Sequence, residues 1–176
     1  MEVYLIRHTT PKIEKGICYG QSDIPLAPSF ELEAQKIIRE NTFLDSDFLV
    51  YSSPLQRCRL LAQKLFPTAK IVYDNRLKEL DFGVWELQAW NEINPSELQV
   101  WMDDFVNIRC PEGESYTDLN HRVIDFKQSL KINTPTKIAI ITHAGVIRAF
   151  LAQHNNIALK NSFQYKVGYG EVTVIS

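Results

Sequence analysis

The chain has 176 residues, 45% of them apolar and 23% charged, which suits a globular domain spanning residues 1–176 with one substantial core. A net charge of −2 gives no general attraction to nucleic acid or to an anionic membrane, so any anion chemistry must come from a local cluster of cations. The three cysteines, Cys18, Cys58 and Cys110, are odd in number and form no CxxC pair, which argues against a disulfide framework or a structural zinc site.

These features, with no basic-then-apolar leader and no apolar stretch near the roughly 20 residues of a membrane span, predict a soluble protein of the cytoplasm. The chain is expected to be a monomer or homodimer, with no nucleic-acid or membrane partner and no metal or cofactor.

The first element is a short buried strand over Val3 to Arg7, ending at Arg7-His8. A turn-rich loop follows, through Gly16, Gly20, Asp23, Pro25 and Pro28. Phe30 to Glu40 reads as a helix capped by Ser29, with Leu32, Ile37 and Ile38 as its apolar positions. Phe48 to Tyr51 is a second strand. It leads to Ser53 as N-cap and Pro54 as first residue of another helix, which would place Arg57 about one turn in. Lys70 to Tyr73 is a third strand, followed by an irregular aromatic stretch around Leu80 to Trp85.

Two more helices are predicted over Pro95 to Phe105 and Ser115 to Leu130, the second with Tyr116, Leu119, Val123, Phe126 and Leu130 on one side. Ile138 to Thr142 is the most apolar strand and runs into His143 and a helix over Ala144 to Gln153. Phe163 to Val167 and Glu171 to Ile175 are expected as two closing strands. Strands alternating with helices predict a three-layer α/β/α sandwich around a mostly parallel sheet.

Two histidines leaving two strand ends, far apart in sequence, are how an open α/β sheet furnishes a cleft at its carboxyl edge. Cleavage of a phosphate ester by imidazole needs an unprotonated nitrogen, planar cations for the phosphoryl oxygens and an acid for the departing alkoxide. His8 can supply the nucleophile, Arg7 and Arg57 the cations, and Glu79, in an irregular and partly apolar neighbourhood, the acid. His143 stands at the second strand-to-helix junction. The arginines beside His8 would repel a divalent cation, and no HxH or HExxH spacing occurs, which disfavours a metal hydrolase.

Taken singly, each of these residues has an ordinary structural explanation. Together, and in this order, they resemble the histidine phosphatase superfamily, the phosphoglycerate mutase-like group. Its RHG signature is matched by Arg7-His8-Thr9, its S-P-L-x-R segment by Ser53 to Arg57, and its L-x-E-x-x-F-G-x-W-E stretch by Leu77, Glu79, Phe82, Gly83, Trp85 and Glu86. Its H-x-G segment is matched by His143-Ala144-Gly145. The resemblance implies His8 as phosphoacceptor, Arg7 and Arg57 as phosphate ligands, Glu79 as proton donor and His143 as a second phosphate donor. Thr9 and Ala144 stand where the family usually has glycine, implying an altered pocket wall and slower or narrower catalysis.

The Cys18-to-Leu26 segment and the Pro111-to-Ser115 loop are most similar to the α-ribazole phosphatase branch, which implies α-ribazole 5′-phosphate as substrate, in assembly of the cobalamin nucleotide loop. Thr9, Tyr19, Gln21 and Ala144 are the expected substrate contacts. A broad sugar or glycolytic phosphatase, a mutase, and a catalytically weak phospho-ligand binding module are the alternatives. The mutase is disfavoured because such enzymes are generally longer, and little room is left between Asp81 and Gly113 for segments that cap the cleft.

Overall fold

The central strands are apolar on both sides, so they can only be stable with helices on both faces. The computed structural model, which describes residues 2–41, 47–130 and 137–176, has that arrangement. Strands β1 (Glu2–Arg7), β2 (Phe48–Ser52), β3 (Ile71–Tyr73), β4 (Lys137–Thr142) and β5 (Val172–Ile175) form one sheet in the order β3-β2-β4-β1-β5. β1, β2, β3 and β4 are parallel, and β5 closes the edge antiparallel to β1.

Side-chain alternation splits the sheet between two cores. Ile6, Val50, Ala139 and Ile141 pack with Ala34 and Ile37 of α1 (Phe30–Glu40) and Cys58, Leu61 and Leu65 of α2 (Gln56–Leu65). Val3, Leu5, Ile138 and Ile140 pack on the other face, with Leu119, Val123 and Phe126 of α4 (Tyr116–Ser129) and Ile147 and Phe150 of α5 (Ala144–His154). The short helix α3 (Pro95–Asp103) buries no residue fully; its Leu98 and Trp101 join Cys18, Trp85, Ile93 and Cys110 in a third, smaller cluster. All three cysteines are free and buried, and no helix of the described residues is long and apolar enough to cross a membrane.

Three expectations need correction. Helix α2 begins at Gln56, two residues beyond Pro54. Ser53 Oγ accepts the Leu55 N–H, while Asp23 Oδ1 accepts the Gln56 N–H at 2.6 Å, so a side chain from the distant turn-rich loop caps the helix. Ser29 does precede α1, but its hydroxyl donates to Glu33 Oε1 at 2.6 Å instead of capping the backbone, and Leu32 is 72% exposed.

Phe163 to Val167 is not a strand. Leu159–Gln164 forms a 3₁₀ helix, and the Tyr165 and Val167 carbonyls accept from Arg148 Nε and Arg7 Nη1 instead of a sheet neighbour. The side chains of two arginines, invisible to any strand pattern, take the bonds a ladder would have used.

Arg122 of α4 ties the irregular segment after β3 to the helix layer. One edge of its guanidinium, Nε and Nη2, donates to the two Glu114 carboxylate oxygens at 2.8 and 2.9 Å, while Nη1 donates to the carbonyls of Arg76 and Lys78 and Nη2 also to that of Glu79. This pair is mostly buried, at 15% and 20% side-chain exposure. Arg122→Ala is expected to cost about 3 kcal/mol in chemical denaturation, because Glu114 and three carbonyls lose their donor together.

Candidate functional site

Parallel register builds the site. Arg7 lies opposite Thr142, and the His8 N–H donates to the Thr142 carbonyl at 3.0 Å. The Ser53 N–H likewise donates to the Ile141 carbonyl. Three neighbouring strand ends therefore deliver His8, His143 and Ser53 side by side at the carboxyl edge. The two imidazoles are 5.1 Å apart between ring centres and almost wholly buried.

The His8 ring is held in one tautomer. Nδ1 lies 2.7 Å from the Thr9 carbonyl, which can only accept, so in the neutral ring Nδ1 carries the proton and Nε2 keeps its lone pair. Burial is the largest cause pushing the His8 pKa well below 6.5, followed by the Arg57 charge; the Thr9 bond opposes them and Arg7 adds to the lowering. Burial, Arg57 and His8 together likewise keep His143 neutral. Its Nε2 shares a 2.9 Å hydrogen bond with Ser53 Oγ, and the Cys58 thiol is 3.4 Å from the same nitrogen.

The cations are held by carbonyls, not carboxylates. Arg57, the second residue of α2 and fully buried, donates to the Ser22 and Gly20 carbonyls at 2.9 and 2.5 Å. Arg7 donates to Val167 O at 2.6 Å and stacks on Tyr169, its guanidinium carbon 3.9 Å from the ring centre. Among the described residues, Arg7 Nε and Arg57 Nε are both buried without a hydrogen-bond partner.

The loop that receives Arg57 is anchored in turn by Glu86, whose carboxylate accepts the N–H groups of Gln21, Ser22 and Phe82 and the Ser22 hydroxyl. Gly20 is required there, because a Cβ would run into the Leu80 carbonyl.

Glu79 is half-buried, less enclosed than its aromatic sequence neighbourhood suggests. Its carboxylate accepts the Leu80 N–H at 3.0 Å and the Gly145 N–H, at the start of α5, at 3.1 Å. A Cβ on Gly145 would collide with Glu79 Oε1, so this glycine permits the approach.

His8, Arg7, Arg57, Glu79 and His143 all line one cleft of about 550 Å³, as do Tyr19 and Ala144. Gln21 and Thr9 do not. Gln21 turns its amide onto the Glu79 carbonyl, and Thr9 is fully buried, with a hydroxyl lacking a partner among the described residues. A larger hollow of about 660 Å³, bordered by β2, β3 and the end of α2, contains none of these groups.

The far side of the cleft is aromatic and apolar. Phe82, Trp90, Trp101, Phe105, Tyr116 and Phe163 form it, joined by Leu98 and Met102 of α3. The stretch between Asp81 and Gly113 thus walls the cleft despite its shortness. Arg148 interrupts this wall one turn into α5, with its guanidinium 4.8 Å from the Phe163 ring centre.

Sequence reasoning passed over Arg148, Tyr169, Glu86 as an anchor and Ser53 as a partner of His143. Glu86 alone carried a signal, as the last residue of the stretch matched to the family. Among the described residues, no group of three or more His, Cys, Asp or Glu side chains is placed to hold a metal ion.

Comparison with known proteins gives the family and the fold. A protein of Hydrogenobacter thermophilus named "Putative phosphoserine phosphatase 2" is 28% identical, the match covering 98% of this chain and 88% of that one. The α-ribazole phosphatase of Shigella flexneri superposes with a TM-score of 0.86 at 23% identity over 100% of this chain and 90% of that one, a likeness of fold. The phosphoglycerate mutase of Thermus thermophilus gives 0.76 at 26% identity, over 99% and 92%. The family model of the histidine phosphatase superfamily, branch 1, matches residues 3–176, and the chain belongs to that superfamily.

Proposed function

We propose that the protein is a metal-independent phosphomonoesterase working through a phosphohistidine on His8. The observation that carries this reading is a buried, neutral imidazole whose Nδ1 is taken by the Thr9 carbonyl, near the buried Arg57 and the half-buried Arg7, whose Nε groups both lack an acceptor among the described residues. A tetrahedral phosphoryl group between Arg7 and Arg57 supplies those acceptors, and the positive charge that suits it repels a divalent cation.

His8 Nε2 attacks phosphorus in line, the P–O bond to the alcohol breaks, and Glu79 delivers a proton to the departing oxygen. Water then attacks the phosphohistidine, with Glu79, now ionised, accepting its proton, and inorganic phosphate leaves. Arg7, Arg57 and His143 hold the phosphoryl oxygens through both steps, where positioning and charge supply most of the acceleration.

For the substrate we infer α-ribazole 5′-phosphate. A ribosyl phosphate places its ester in the cationic half of the cleft and its planar, apolar base against Phe82, Trp90, Trp101 and Phe105. The short stretch between Asp81 and Gly113 lines the cleft with Phe82, Trp90, Leu98, Trp101, Met102 and Phe105, which leaves few residues for a cap that would keep water from the phosphohistidine, and this favours hydrolysis over a mutase. The named functions of the relatives, phosphatases and a mutase, are both compatible with the cage itself.

Assays with α-ribazole phosphate, 3-phosphoglycerate, fructose 2,6-bisphosphate and p-nitrophenyl phosphate test this reading. Phosphate release unaffected by EDTA and fastest on α-ribazole phosphate is expected; isomerisation without release would establish the mutase instead. Glu79→Gln should slow α-ribazole phosphate about 100-fold or more and p-nitrophenyl phosphate, whose leaving group needs no proton, far less. Equal losses on the two would remove Glu79 as the acid.

Gly145→Ala should leave the melting temperature nearly unchanged, since the flexible carboxylate of Glu79 can yield, yet cost about 100-fold in turnover through its displacement. Proton NMR titration checks the neutral nucleophile. The imidazole signal lost in a His8→Ala spectrum should titrate below pH 6.5, and a midpoint at or above that value contradicts it.

A further inference from the structure

The loop after the last 3₁₀ helix presents a tyrosine that nothing in the chemistry above uses. Tyr169 is 42% exposed, so it does not fill a core. Its loop is fixed by other bonds: the Gly170 N–H donates to the His8 carbonyl, the Glu171 N–H to the Gly168 carbonyl, and the Gly168 N–H to Glu171 Oε2. The side chain is therefore free of any duty in shaping the loop.

What the ring touches is the phosphoryl cage. The Arg7 guanidinium lies over it at 3.9 Å, and the His8 ring centre is 5.5 Å away. Its hydroxyl is 2.8 Å from that of Tyr19, and the Tyr19 ring in turn lies 5.5 Å from the guanidinium carbon of Arg57. Tyr19, which lines the cleft, and Tyr169 thus each lie against one of the two arginines and join through their hydroxyls. A guanidinium stacked on a ring keeps its in-plane N–H groups free for an oxyanion while losing the freedom to swing away. The Val167 carbonyl fixes Nη1 of Arg7 from the side, and the ring of Tyr169 fixes its plane.

We propose that Tyr169 is a positioning residue for phosphate esters: it orients Arg7 by stacking, and its hydroxyl contact with Tyr19 couples the Arg7 and Arg57 halves of the cage. This rests on the reading of Arg7 as a phosphoryl ligand. Because the phosphoryl group is held in both ground and transition states, the effect falls on binding more than on the chemical step.

The test uses the full chain with p-nitrophenyl phosphate as substrate and inorganic phosphate as competitive inhibitor, with calorimetric titration of phosphate alongside. Tyr169→Leu should raise KM and the phosphate Ki by about tenfold with kcat little altered, the order of a half-buried cation–π contact. Tyr169→Phe, which keeps the ring and loses the hydroxyl, should recover most of that affinity. In an Arg7→Gln background Tyr169→Leu should have almost no further effect, whereas a purely structural role would add its full loss.

A rise in Ki below about threefold in Tyr169→Leu, or the same tenfold loss with Arg7 absent, overturns the proposal. If wild-type protein neither hydrolyses the ester nor binds phosphate, the phosphatase reading itself fails. Binding without hydrolysis rejects the enzyme yet leaves the calorimetric comparison of Tyr169 variants decisive.

Discussion

The pairing of β1 with β4 is the constraint on which the rest depends. Arg7 stands opposite Thr142, so the residues that follow, His8 and His143, leave adjacent strands at the same height. A slip of one residue would turn every side chain of β1 to the opposite core, exchanging Val3 and Leu5 for Ile6. The apolar contacts that fix register therefore also fix the distance between the imidazoles. Stability of the core and geometry of the site are one arrangement seen from two ends, and the parallel β2 adds Ser53 to it through the Ile141 carbonyl.

Around that edge the chain assembles positive charge without neutralising it. Buried guanidiniums are costly unless paired, and the usual partner is a carboxylate. Here the Gly20, Ser22 and Val167 carbonyls hold them, which satisfies some N–H groups and leaves the charge for an anion. The nearest carboxylates have other duties. Glu86 secures the loop that offers those carbonyls, and Glu79 is tethered to the start of α5. The same charges that would grip a phosphoryl group help to keep both histidines neutral, so binding and nucleophile activation have a common source.

Much of this was legible in the sequence because it depends on local pattern. The apolar runs before His8 and His143 announce buried strands, and Tyr116, Leu119, Val123 and Phe126 at helical spacing announce α4 and its buried face. Contacts that depend on partners distant in sequence were not legible. Nothing near Ser53 reveals that Asp23 will cap α2 at Gln56, and nothing in Phe163 to Val167 reveals that Arg7 and Arg148 will take its carbonyls. Tyr169 and Arg148 escaped for the same reason: Tyr169 meets Arg7 and Tyr19, and Arg148 meets Phe163, only in the folded chain. Glu79 was legible as a candidate, but its attachment to the Gly145 N–H was not.

The claim that His8 is the phosphoacceptor has one direct measurement. Protein mixed with substrate carrying a radiolabelled phosphoryl group is quenched in base within the first turnover, digested and mapped. The account predicts a base-stable, acid-labile label on the peptide containing His8, forming and decaying fast enough to carry turnover, and absent from His8→Ala. Steady turnover with no labelled protein, or undiminished labelling in His8→Ala, would contradict it.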